Sequence, residues 1–260
     1  MVNPQPSYGA ASGSDGGEAG PGVAGPLRVG EENHAQAGEF LSDCVLGMSD
    51  GLTVPFALAA GLTSAVSSSS VIALAVTSEL VAGAISMGLG GYLSGRVEAD
   101  THEAERLRES WEVQHQPKQE EDEVVEVLGR FGLNRQQCEP VLQHFREHPD
   151  QWVDFMMRFE LGLGDKPDTS RPFTSALAVG GSYVVGGLVP LLPYLIIPDA
   201  NTALRYSAAA TLLALFVFGW VKAMLIGSPK RAKSAVETLA VGGAAAAAAY
   251  FLAKLFNVDL

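Results

Sequence analysis

Cysteine is scarce in this chain. Its 260 residues hold two, Cys44 and Cys138, too few for a disulfide framework or a thiolate metal cluster; both read as reduced bystanders. Positive charge is short as well: the formal net charge is −12. Between Arg96 and Ser170 stand 18 Asp or Glu against 9 Lys or Arg, a local balance of −9. That excludes nucleic acid and anionic lipid as the main partner and favours cations. The first 35 residues have neither the basic nor the apolar region of a secretory signal, so no cleavage is expected there. Residues 1–38, rich in Gly, Ala, Ser and Pro with few bulky side chains, are expected to form a disordered cytosolic tail. The paired Glu-x-x-His motifs of a diiron oxidoreductase are lacking too. Only Glu112–His115 fits, at a helix end before Pro117, so the expectation is a protein that is no enzyme and carries no prosthetic group.

Long apolar runs are abundant. Five reach spanning length: about Phe40–Leu62, Val71–Ser94, Phe173–Ile197, Ala203–Ile226 and Ala235–Phe256. The expected fold is an all-α membrane protein with five transmembrane helices and a helical domain inserted between spans two and three. In domain terms, 39–96 hold spans one and two, 97–170 the acidic insert, and 171–260 spans three to five. Lys230, Arg231 and Lys233 lie in the last loop and Arg171 precedes span three, whereas the loops around Ser67 and Asp199 carry no Lys or Arg. The positive-inside rule then places the N-terminus, the insert and the "PKRAK" loop in the cytosol, and the C-terminus on the far side. Small residues crowd the spans: Gly91 and Gly95 form a GxxxG, and "GGSYVVGG" sits in span three beside Pro190 and Pro193. These read as surfaces for close helix packing.

Ionisable side chains inside the spans are the exception to that pattern. Asp50 lies about 10 residues into span one, hence roughly 15 Å deep and near the midplane, with Gly51 and Pro55 expected to loosen the helix around it. Glu79 lies in the half of span two away from the insert. Met87 follows two turns later, within about 80° of Glu79 around the helix. An acid in hydrocarbon costs a few kcal/mol or more. Two such acids on adjacent helices favour a permeation path over protonated structural residues. Oxygen with thioether suits a borderline divalent ion such as Fe²⁺ better than Mg²⁺ or Ca²⁺. Lys222 reads as snorkelling and Glu237 as interfacial.

The insert reads as a run of helices: Val97 to about Gln114 continuing span two, Glu120–Phe131, Asn134–His148, and Trp152–Leu161. Glu98, His102, Glu105, Glu109 and Glu112 step by 4, 3, 4 and 3 and share one face. Arg106 and Arg108 fall off that stripe. Glu120 and Glu123 share a face, as do Met156 and Glu160. In a bundle these groups could surround several divalent cations, the thioether tilting selection toward transition metals. Like charges so spaced repel, and a solvated acidic surface is the plain alternative. His144 and His148 also have ligand-like spacing, with no acids to support them, and read as surface histidines.

"SDGLTVPFALAAGL", "GAISMGLGGYLSGRVEAD", "WVDFMMRFELGL" and "GGLVPLLPYLIIP" resemble the vacuolar iron transporter family of plants and fungi, in order and spacing, from about Glu39 onward. The resemblance implies a homodimer of five-span subunits with its pathway at the two-fold axis between spans one and two. It also implies exchange of cytosolic Fe²⁺ for protons across the vacuolar membrane. Asp50, Glu79 and Met87 match the family's pathway residues. Glu109, Glu112, Glu120, Glu123, Met156 and Glu160 match its cytosolic ligands; Glu98 and Glu105 belong to the site by spacing alone. Zn²⁺, Mn²⁺ and Co²⁺ are expected as further ligands; a Mn²⁺ or Zn²⁺ transporter of the same architecture and a membrane-anchored metal sensor or buffer are the competing functions.

Overall fold

The computed structural model describes residues 30–164 and 166–255, with side chains from Gly38 onward. Most of the tail expected to be disordered therefore lies outside the described residues, and α1 reaches back to Gly30, ahead of the expected boundary. Eight helices follow in order: α1 Gly30–Thr63, α2 Ser69–His115, α3 Pro117–Gly129, α4 Arg135–Glu147, α5 Pro149–Phe159, α6 Arg171–Ile196, α7 Ala200–Leu225 and α8 Arg231–Leu255. Five of them, α1, α2, α6, α7 and α8, are long and apolar enough to cross a membrane. Among the described residues there is no strand, and the fold is all-helical as expected.

The 47 residues of α2 form one unbroken helix, about 70 Å long at 1.5 Å per residue. A bilayer core needs only about 20 of them, so the remainder stands clear and carries the acidic stripe out to α3, α4 and α5. The helix stops at Gln116 (φ −129°, ψ 42°), because the residue before a proline is driven out of the helical region. Pro117 then sits in the first turn of α3, where a missing N–H costs nothing. Pro149 does the same for α5. Both helices thus begin earlier than the sequence reading placed them: each proline opens a helix rather than merely interrupting one. Asn134 caps α4 through a reciprocal bond pair with Gln137. The inserted helices share an ordinary soluble core of Val113, Val124, Cys138, Leu142, Phe145, Trp152, Val153, Met156 and Met157.

Within the membrane bundle α6 is the central element, half of its most apolar stretch being buried against 22% for α2 and 17% for α8. It packs along both α1 and α2. Glycine makes that possible on all three helices. A Cβ at Gly51 would overlap the carbonyl of Tyr183, and one at Gly95 would come within 2.8 Å of the Pro172 Cα. Gly51, expected to loosen α1, is instead a packing position in a continuous helix. Pro190 and Pro193 lie within α6 without ending it. The Pro190 carbonyl accepts a 2.8 Å bond from the Ser207 hydroxyl, a polar tie between α6 and α7.

Candidate metal sites in the insert and the bundle

Two groups of acids and one basic junction lie along α2. The outer group draws on three helices: Glu105, Glu109 and Glu112 from α2, Glu120 and Glu123 from α3, and Glu160 at the end of α5. Glu109 and Glu120 are each 1% exposed. One carboxylate oxygen of each, Oε2, is buried with no hydrogen-bond donor. Leaving a buried acceptor unpaired costs roughly 1–3 kcal/mol, so these atoms are poised for a cation or a proton. Burial first, then the charges of Glu123, Glu109, Glu112 and Glu160, push the Glu120 carboxyl up to about 8. Burial and then Glu123 push Glu160 up to about 7. Met156, one turn before Glu160 on α5, is fully buried in the domain core. Among the described residues no three His, Cys, Asp or Glu side chains already converge to hold one ion. The carboxylates are gathered and must turn inward together to share a metal.

Arg108 departs from the sequence reading. Its backbone lies off the stripe, yet its guanidinium reaches back across it. It stands 2.8 Å from Glu105, 3.3 Å from Glu109 and 3.5 Å from Glu112. Arg106 does point away, to Asp154 at 2.5 Å. The inner end of the stripe has other neighbours. Glu98 is 3.7 Å from Arg171, and the buried His102 meets the Gly164 carbonyl through Nε2 at 3.1 Å. The structure therefore groups Glu109 and Glu112 with the acids of α3 and α5, joins Glu105 to them through Arg108, leaves Glu98 at the membrane junction, and places His102 against the α5 side of the insert. Arg171 is the hub of that junction, 2.6 Å from Asp43 and 2.9 Å from Glu39 of α1. It ties α6 to α1 and α2 where they leave the bundle.

The inner group sits within the bundle. Asp50 on α1 and Glu79 on α2 are both half-buried, and Tyr183 of α6 stands between them. The Tyr183 hydroxyl donates to Glu79 Oε1, and Asp50 lies within electrostatic reach of the same ring. Glu79 Oε2 is buried without a partner. Gly83 makes room for the tyrosine, since a Cβ there would stand 2.7 Å from its Cζ. Met87 borders the apolar cluster on the same side of α2. Sequence reasoning missed Tyr183; its one signal was a polar aromatic set between the two glycine pairs of "GGSYVVGG".

The remaining sequence candidates are placed elsewhere. The rings of His144 and His148 stack at 4.3 Å, and His144 bonds Gln151. Glu237 pairs with Lys233 at 3.5 Å. Both cysteines are free thiols.

The profile of the VIT family matches residues 41–254. The chain is 49% identical over 224 residues to "Vacuolar iron transporter 1" of Arabidopsis thaliana, covering 86% of this chain and 89% of that protein. It is 48% identical to the protein of the same name in Eucalyptus grandis, covering 86% and 89%. With "Protein CCC1" of Saccharomyces cerevisiae it shares 40% identity, over 89% of this chain and 79% of that protein. With five apolar helices, acids held inside them and matches spanning the whole bundle and insert, the chain belongs to the VIT family, whose members are transporters and not enzymes.

Proposed function

We propose that this protein moves Fe²⁺ from the cytosol into the vacuole in exchange for protons, as a multi-pass protein of the vacuolar membrane. The observation that carries the reading is Glu79: a carboxylate in an apolar bundle, with one oxygen held by Tyr183 and the other buried and unpartnered. Polar groups are kept at membrane depth at a cost, and a binding or relay role offsets it. The names of the plant relatives support iron and the vacuole.

Asp50 takes the role of mid-membrane ligand, replacing hydration water on the ion. Glu79 receives the ion or a proton on the far side, its orientation set by the Tyr183 hydroxyl, and Met87 supplies a soft ligand on the approach. The insert gathers metal at Glu109, Glu112, Glu120, Glu123, Met156 and Glu160, with Glu105 at the rim. Orientation follows the basic loops: N-terminus and insert cytosolic, C-terminus luminal. A homodimer with its pathway between spans one and two, as the family resemblance implies, completes the reading.

The test is Fe²⁺ uptake into proteoliposomes with and without an acidic interior, beside Asp50→Ala. Uptake driven by internal acid and abolished by the substitution supports the reading. Uptake of Mn²⁺ or Zn²⁺ in preference to Fe²⁺ changes the cargo and keeps the machine. Metal binding with no uptake under any gradient makes the protein a sensor or buffer.

A further inference from the structure

We infer that Arg108 is a tethered competitor for the metal in the insert, a built-in cation that lowers affinity and speeds release. The inference rests on reading the acidic cluster as the metal-gathering site. Arg108 touches three carboxylates at once, Glu105, Glu109 and Glu112, all on α2. Its contacts take one oxygen from each of them, Oε2 of Glu105 and Glu112 and Oε1 of Glu109. The oxygens it does not contact, Oε2 of Glu109 and Oε2 of Glu120, are buried with no hydrogen-bond donor. The guanidinium thus neutralises the outer half of the site and leaves the inner half for something smaller and more highly charged.

Guanidinium suits this role. It is permanently charged, and its planar fork spreads several donors over several carboxylates. Being covalently attached, it competes at an effective concentration that no dilution lowers. Its side chain is 49% exposed, so it can swing out without breaking the core. A divalent ion held at the buried oxygens would gain Glu112 as a further ligand only by drawing it from Arg108, and its charge would repel the guanidinium. When the ion leaves, the guanidinium falls back onto the carboxylates. The site then hands metal on rather than storing it.

Ordinary helix-surface ion pairs would have the same spacing, so the test must separate the two roles. Zn²⁺ affinity and chelator-induced release are measured on the purified full-length protein in detergent, for the wild type, Arg108→Gln, Arg108→Lys, Glu109→Gln and Glu120→Gln. Exposed ion pairs are each worth some tenths of a kcal/mol, so removing three contacts should tighten binding about five- to tenfold and slow release by a similar factor. Arg108→Lys, a single point charge, should fall between. An Arg108→Gln protein that binds equally or more weakly, while Glu109→Gln or Glu120→Gln weakens binding, overturns the inference and leaves the site intact. Affinity indifferent to Glu109→Gln and Glu120→Gln overturns the site and the inference together. If Arg108→Gln does not fold, the lysine variant alone decides by the direction of its shift.

Discussion

The bundle and the insert both bury carboxylates, but by different means. In the bundle the helices approach through glycine until backbone meets backbone, and each acid is managed singly: Glu79 by one hydroxyl, Asp50 at the flank of the same tyrosine. In the insert a conventional core of Val, Leu, Phe, Trp and Met does the packing. The acids line one side of that core as a crowd, moderated by one arginine at their rim. The difference follows from solvent. In lipid there is no water to screen a second charge, so acids must be few and individually held. In water a repelling cluster is tolerable, because its members can keep protons until a cation replaces them.

The sharpest way to break the comparison is through the glycines. Gly51→Val would drive a side chain into the Tyr183 carbonyl, a backbone atom that cannot step aside. We expect loss of folded, monodisperse protein on size-exclusion, the overpacking penalty exceeding about 3 kcal/mol. Gly181→Ala, with open space at its Cβ position, should leave the elution profile unchanged. Next in size is Tyr183→Phe. It removes the donor to Glu79 and keeps the ring, so the fold should survive. A lost hydrogen bond to a buried carboxyl costs roughly 1–3 kcal/mol, so Fe²⁺ uptake in proteoliposomes should fall about tenfold while the protein still elutes as a monodisperse species. Unchanged uptake would mean that Glu79 needs no individual support.

The two regions also differed in how far they could be read from sequence. The five spans, the continuation of α2 into the insert and the acidic stripe follow from hydropathy and helical period, which are local. Tyr183 is not local in that sense. Its partner Glu79 is 104 positions away, and a tyrosine in an apolar run looks like core filler until α6 is placed between α1 and α2. Arg108 was misjudged for another reason: its Cα lies off the stripe, but it is three residues from Glu105 and four from Glu112, and its side chain is long enough to reach back. The stripe itself reads as one unit only in sequence. On a helix about 70 Å long, Glu98 and Glu109 meet different neighbours.

The crowd of carboxylates should reveal itself through pH. Glu120 is held near 8 in the folded domain, above its ordinary 4.5. A group with a raised folded pKa contributes stability that is complete below about pH 4.5 and is lost as pH rises through about 8. The metal-free protein should therefore lose several °C of Tm between pH 6 and pH 8.5, by an order-of-magnitude conversion of such a shift. Glu120→Gln should flatten that slope, and saturating Zn²⁺ should reverse it, because the ion takes the place of the protons. A flat profile in the wild type would mean that the cluster is solvated, as any acidic surface is.

The smallest effect is expected at His144 and His148, which have the right spacing for a metal and the wrong surroundings. Their rings lie stacked, 22° from parallel. One nitrogen of each is engaged, His144 Nε2 by Gln151 and His148 Nδ1 by the His144 carbonyl. Parallel rings do not aim their free nitrogens at a common point, and among the described residues no acid completes the pair into a metal site. Replacing both with alanine should leave Zn²⁺ stoichiometry and affinity within about twofold by isothermal titration calorimetry, and change stability by less than about 1 kcal/mol. A lost binding equivalent would extend metal capture beyond the crowded acids to an exposed face of α4, and the contrast between single and massed carboxylates would no longer account for where this protein holds its ions.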